Sequence, residues 1–141
     1  MVAQCILAFD YGLKAIGVAV GQTVTATASA LPPLAARDGV PDWQQLATLF
    51  DTWKPSQLVV GLPLNMDGSA SELSRRAEKF ARQLQGRFQL PVATMDERLS
   101  SFEARGDILD RHRSRDFKRH NVDGLAAKLI LESWLANGGA V

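Results

Sequence analysis

Ile6-Leu7-Ala8-Phe9-Asp10-Tyr11-Gly12-Leu13-Lys14-Ala15-Ile16-Gly17-Val18-Ala19-Val20 reads as two apolar strands joined by a short glycine turn. The first strand closes on a carboxylate. An acid at the end of a buried strand is costly unless a cation or a hydrogen-bond donor meets it. Gly12 and Gly17 point to a tight turn and a close approach of backbone or ligand. A carboxylate on rigid sheet, beside an open glycine turn and a lysine, suits a metal ion and a phosphate.

Outward from this hairpin, residues 23–30 extend the meander as a third strand, which Pro32-Pro33 is expected to stop, and 35–41 is expected to be a loop. Asp42 caps a helix carrying Trp43, Leu46, Ala47, Phe50 and Trp53 on one face, closed by Pro55. The continuous apolar run over 57–61 predicts a central parallel strand. After a Pro/Gly loop, Ser69 and Glu72 form an expected capping box. The helix that follows has a core stripe of Leu73, Ala77, Phe80, Ala81, Leu84 and Phe88. Residues 91–95 give another strand that runs into Asp96-Glu97-Arg98. Ser100 and Glu103 open a third helix to about Asp110. Asn121 caps the last, which bears Leu125, Ala126, Leu129, Ile130, Trp134 and Leu135 and ends at Gly138-Gly139. The order β-β-β-α-β-α-β-α-α predicts an α/β fold: a five-stranded mixed sheet with helices on its faces.

The 141 residues suit one domain, 1–141, with room for a core, and 46% hydrophobic with 22% charged residues is ordinary for a globular protein. No stretch approaches the roughly 20 apolar residues of a membrane helix. The single cysteine, Cys5, excludes an intrachain disulfide and fits a reducing cytoplasm. The net charge of +1 is unevenly spread: residues 1–70 hold three basic against five acidic side chains, residues 71–141 thirteen against ten. Five basic residues cluster between Arg75 and Arg87. Five more, with His112 and His120, lie over 111–120. Either cluster can serve phosphate or be a solvated face. The three tryptophans, Trp43, Trp53 and Trp134, fall on apolar helix faces and read as core.

Asp10, Glu97 and Asp123 sit at a strand end, just past the last strand and in the first turn of the last helix. If the first and last strands run parallel, Asp10 and Glu97 emerge at one edge, where ligands of α/β sheets gather. Three carboxylates in one pocket would raise one another's pKa, a conflict that Mg²⁺ or Mn²⁺ resolves. Two ions about 4 Å apart would support in-line hydrolysis of a phosphodiester. Glu97 merely pairing with Arg98, and Asp123 merely serving the helix dipole, are the competing readings.

The opening motif, together with Val59-Val60-Gly61-Leu62-Pro63-Leu64-Asn65-Met66-Asp67-Gly68-Ser69, Asp96-Glu97-Arg98-Leu99-Ser100-Ser101 and Val122-Asp123-Gly124-Leu125-Ala126-Ala127, resembles the YqgF (RuvX) family in order and over nearly the whole chain. Many members carry Arg where this chain has Ala15. The resemblance implies a ribonuclease H-like fold, with Asp10, Glu97 and Asp123 as catalytic, metal-binding positions. It also implies a nuclease that matures the 5′ end of pre-16S ribosomal RNA, in a family first described as Holliday-junction resolvases. Lys14, Asn65 and Arg98 are the candidate substrate contacts, Arg98 otherwise holding a carboxylate. Cleavage of branched DNA and a non-catalytic nucleic-acid-binding module are the alternatives. The module reading is disfavoured because bare carboxylates repel phosphate.

Overall fold

The computed structural model describes residues 4–99 and 122–137; the side chains of Leu99, Val122 and Asp123 are outside that description. The expected third helix, the basic stretch with His112 and His120, the Asn121 cap and the Gly138-Gly139 stop lie outside the described residues.

Six strands form the sheet: β1 (Cys5–Asp10), β2 (Ala15–Gln22), β3 (Thr27–Arg37), β4 (Val40–Pro41), β5 (Gln57–Leu62) and β6 (Val92–Asp96), in the order β4-β3-β2-β1-β5-β6. The expected five become six because the presumed loop over 35–41 is a hairpin. Ala36 pairs with Pro41 and Arg37 with Val40 around a left-handed Asp38-Gly39 turn. β3 also runs through Pro32-Pro33 rather than stopping there. Its pairing with β2 shifts between Val18↔Leu31 and Ile16↔Leu34, so the two prolines fall at a bulge where the ladder needs no N–H from them.

β1 is antiparallel to β2 and parallel to β5, and β5 is parallel to β6, so β1 and β6 point the same way. Alternation along β1 sends Leu7 and Phe9 to one core and Ile6 and Ala8 to the other. The first core is covered by α1 (Trp43–Trp53) and α2 (Glu72–Phe88), through Leu46, Phe50, Ala77, Phe80 and Leu84. The second is covered by α3 (Val122–Ala136), through Ala127, Ile130, Leu131 and Trp134.

Several helix details differ from expectation. Asp42 does cap α1, its carboxylate accepting from the amides of Gln44 (3.0 Å) and Gln45 (3.3 Å). Trp53, expected in the core, is exposed, as is Ala47, and Trp43 is half-buried with the Arg87 guanidinium 3.9 Å from its ring centroid. The capping box of α2 uses Ser71 and Ser74, each side chain bonding the other's amide (2.9 and 2.8 Å), because Ser69 is taken up by Asp67. On α3, Ala127 and Leu131 are fully buried while Leu125, Ala126 and Leu129 are only half-buried. That helix is apolar almost all round, so its sequence does not mark which side meets the sheet. No helix among the described residues is long and apolar enough to cross a membrane.

Candidate active site at the carboxyl rim of the sheet

Three parallel strands end side by side in register: Asp10 pairs with Gly61, Gly61 with Met95, and Leu62 with Asp96. Asp10 shares the parity of Ile6 and Ala8 and so belongs to the α3 face of the rim. The chain turns from β6 into a 3₁₀ helix (Glu97–Leu99), which sends Glu97 back over Gly61. A Cβ placed on Gly61 would stand 2.8 Å from Glu97 Oε1 and 2.5 Å from Cδ1 of Ile130 on α3. Gly61 is therefore bare because a carboxylate and a helix side chain both occupy its space. Its Cα lies about 4.8 Å, one strand spacing, from Asp10. The structure thus brings Asp10 and Glu97 to one face of one rim.

Glu97 is only 8% exposed, a rare state for a carboxylate, whereas Asp10 is half-buried. Two acids of hard oxygen donors, one of them desolvated, form a donor set that fits a divalent cation such as Mg²⁺ or Mn²⁺. Among the described residues no group of three or more His, Cys, Asp or Glu comes together. The third expected acid, Asp123, belongs to the first turn of α3, and its side chain is outside the described residues.

The candidate substrate contacts fare differently. Lys14 is exposed in the turn after Asp10, where its carbonyl accepts from the Ala36 amide (3.0 Å). Gly12 makes that turn possible: a Cβ there would collide with the Ala15 carbonyl oxygen. Asn65 is exposed and engaged in turn chemistry, its Nδ2 donating to Ser69 Oγ (3.0 Å) and its amide to the Ser69 carbonyl (3.0 Å). Asp67 accepts from both the amide and the hydroxyl of Ser69 (2.9 and 2.6 Å), and these bonds hold its carboxyl below the usual carboxylate range.

Arg98 holds Asp96, not Glu97. Its Nε donates to both Asp96 oxygens (3.1 and 2.9 Å), Nη2 reaches Oδ2 at 2.6 Å, and the Arg98 amide caps Oδ1 at 2.9 Å. Hydrogen bonding to Asp96 pushes the guanidinium pKa still higher. The far nitrogen, Nη1, donates to the Met66 carbonyl at 3.1 Å, which ties the 63–69 loop to the turn that carries Glu97. A Cβ on Gly68 (φ +88°) would come within 3.1 Å of this guanidinium, so the glycine lets the loop lie against it. Sequence reasoning quoted Gly61 and Asp96 within the motifs but gave neither a role in the site; their presence there was the one signal.

A mixed sheet with an antiparallel meander, parallel β1, β5 and β6 and helices on both faces is a ribonuclease H-like fold, and the acids at its carboxyl rim fit a nuclease. Solved structures share the architecture: Thermus thermophilus RuvC in complex with a Holliday junction substrate (TM-score 0.55, 13% identity, 97% of this chain and 98% of that one) and the fowlpox virus Holliday junction resolvase (TM-score 0.56, 15% identity, 94% and 99%). Within that class, the model of the family described as "RuvX: Holliday junction resolvase" matches residues 4–137, and the chain belongs to this family. Proteins named "Putative pre-16S rRNA nuclease" are 58% identical in Pseudomonas putida and 56% identical in Azotobacter vinelandii, each over 133 residues covering 94% of both chains.

Proposed function

We propose that Asp10, Glu97 and Asp123 together hold divalent Mg²⁺ or Mn²⁺ and that the protein, acting as a single nuclease domain in the cytoplasm, trims the precursor of 16S ribosomal RNA, free or within a ribosomal particle. The observation that carries this reading is the clearance at Gly61, which lets a buried Glu97 carboxylate share a rim with Asp10. When bound, the cation supplies Lewis acidity for water and phosphoryl oxygen alike. Asp10 at the end of β1 and Glu97 on the 3₁₀ turn after β6 fix the donor geometry, which lowers the reorganisation needed at the moment of reaction. Lys14, exposed beside Asp10, attracts the phosphate backbone. Arg98 acts through Asp96 and the Met66 carbonyl to hold the loop that borders the substrate path, and Asn65 keeps that loop's turn closed.

The test is Mg²⁺-supported cleavage of a pre-16S rRNA fragment by wild type and Asp10→Asn, with a four-way DNA junction of matched length alongside. Trimming of the RNA by wild type alone is expected. Equal activity of the two proteins overturns the site. Cleavage of the junction with intact RNA moves the substrate to branched DNA, the activity that the family's description carries.

A further inference from the structure

Across the rim from the carboxylates, on the α1/α2 side, a pocket of about 310 Å³ opens between the β3–β4 hairpin and α2. Tyr11, Val40 and Trp43 give it an apolar and aromatic wall, and Arg76, Lys79 and Gln83, on one ridge of α2, give it a polar one. Its volume is at the small end for ligand cavities, enough for one nucleobase with its sugar but not for a duplex. The wall is built, not incidental. Tyr11 donates to the Gly39 carbonyl at 2.8 Å, locking the aromatic ring against the hairpin turn. A Cβ on Gly39 would overlap the Tyr11 hydroxyl, so the turn residue is cut to fit that ring.

Charge points the same way. Arg76 is bridged at 3.2 Å to Asp38, an exposed acid that also lines the pocket, which fixes the guanidinium at the pocket's edge and offsets that acid's charge. Lys79, exposed, makes no salt bridge among the described residues. Arg75, Lys79 and Arg82, all exposed, continue the positive track along α2 at i, i+4 and i+7. Gln83 is the neutral group that both gives and accepts hydrogen bonds, as the edge of any base requires. The pocket and the candidate active site flank the same rim: Tyr11 follows Asp10 directly, and strand alternation sends the two side chains to opposite sides of it. A strand laid over the sheet edge would meet the carboxylates with one phosphate and this pocket with a neighbouring nucleotide.

We propose that this pocket receives one unpaired nucleotide of the substrate strand flanking the scissile bond, its base against Tyr11, Val40 and Trp43 and its phosphate on Lys79 and Arg76. The assignment of the strand as substrate rests on the nuclease reading; the binding itself does not. Burial of a single base edge-on against such a wall, joined to one phosphate contact, requires an unpaired nucleotide and so gives a preference for single strands over duplex.

The test uses the full chain carrying Asp10→Asn, without added divalent metal, titrated by fluorescence anisotropy into a short single-stranded oligoribonucleotide with a 3′-fluorescein. Lys79→Glu is expected to weaken binding about tenfold and to lower the salt slope by about 0.7–1. Val40→Glu, at the exposed mouth, is expected to weaken it similarly. Lys54→Glu, the same charge change at the C-cap of α1, just before the amino end of β5 and away from the carboxyl rim, is expected to move it less than about twofold. Adenosine 5′-monophosphate is the second arm. If Lys79→Glu and Val40→Glu shift oligonucleotide affinity no more than Lys54→Glu does, the pocket is a solvated helix face and the proposal is overturned. Pocket-dependent binding of the mononucleotide with unaltered oligonucleotide affinity overturns it too, in favour of a free-nucleotide site. A wild type that cleaves neither the pre-16S rRNA fragment nor the DNA junction would sink the nuclease reading while leaving this binding measurement intact.

Discussion

Gly61→Ala puts the site's construction under direct strain. The added Cβ would lie 2.5 Å from Ile130 Cδ1 and 2.8 Å from Glu97 Oε1, where carbon–carbon contacts relax at about 3.5–4.0 Å. Both neighbours must retreat, Ile130 by about 1 Å. Each belongs to an element that carries a proposed metal ligand: the 3₁₀ turn holds Glu97 itself, and α3 holds Asp123 in its first turn. Overpacking of this size costs about 2 kcal/mol, which lowers the melting temperature of a chain this long by about 6–10 °C. A 1 Å displacement of a reacting group costs about a hundredfold in rate. Urea unfolding and Mg²⁺-supported RNA cleavage at a temperature where both proteins are folded separate the two effects. The double variant Gly61→Ala/Ile130→Val deletes the offending Cδ1. It should regain part of the stability but not the activity, since the crowding of Glu97 persists. Wild-type stability and cleavage in Gly61→Ala would refute the packing account of how Glu97 is placed.

Glu97→Gln should abolish the rise in melting temperature that Mg²⁺ confers on the wild type, read by calorimetry with and without the ion; an undiminished rise would remove Glu97 from the metal site. Arg98→Lys keeps the charge but loses the fork onto Asp96 and the reach to the Met66 carbonyl, so kcat should fall more than KM rises. Protease cutting of the 63–69 loop should become faster in the same variant. Asp67 has a lowered pKa in the folded chain, so its contribution to loop order is complete above the ordinary aspartate value of about 3.9. That contribution is lost as pH falls through the lowered one. The Ser69 amide shift, followed by NMR, should titrate in that acid window, and Asp67→Asn should remove the transition.

The hairpin, the buried β5 and the amphipathic α2 were legible in the sequence because each writes its environment into a local period. What escaped was decided by partners distant along the chain. Pro32-Pro33 looked like a strand stop and became a bulge, because β2 slips its register opposite them. Ser69 looked like a helix cap until Asp67 claimed it, leaving the role to Ser71. Arg98 stood beside Glu97 in sequence yet turned to Asp96, since a 3₁₀ turn rotates neighbouring side chains apart.

By itself the sequence determined the α/β class, the carboxylate at the end of β1, the second acid after β6 and the family to which the chain belongs. Only the tertiary structure decided that Asp10 and Glu97 share a face, that Gly61 is bare to admit a carboxylate, and that Tyr11 and α2 enclose a pocket behind them. The reason is physical: periodicity records whether a residue meets the core, whereas a site is set by which strands pair and in what register. Those pairings join residues far apart along the chain, Asp10 with Gly61 and Gly61 with Met95, and no local pattern carries them.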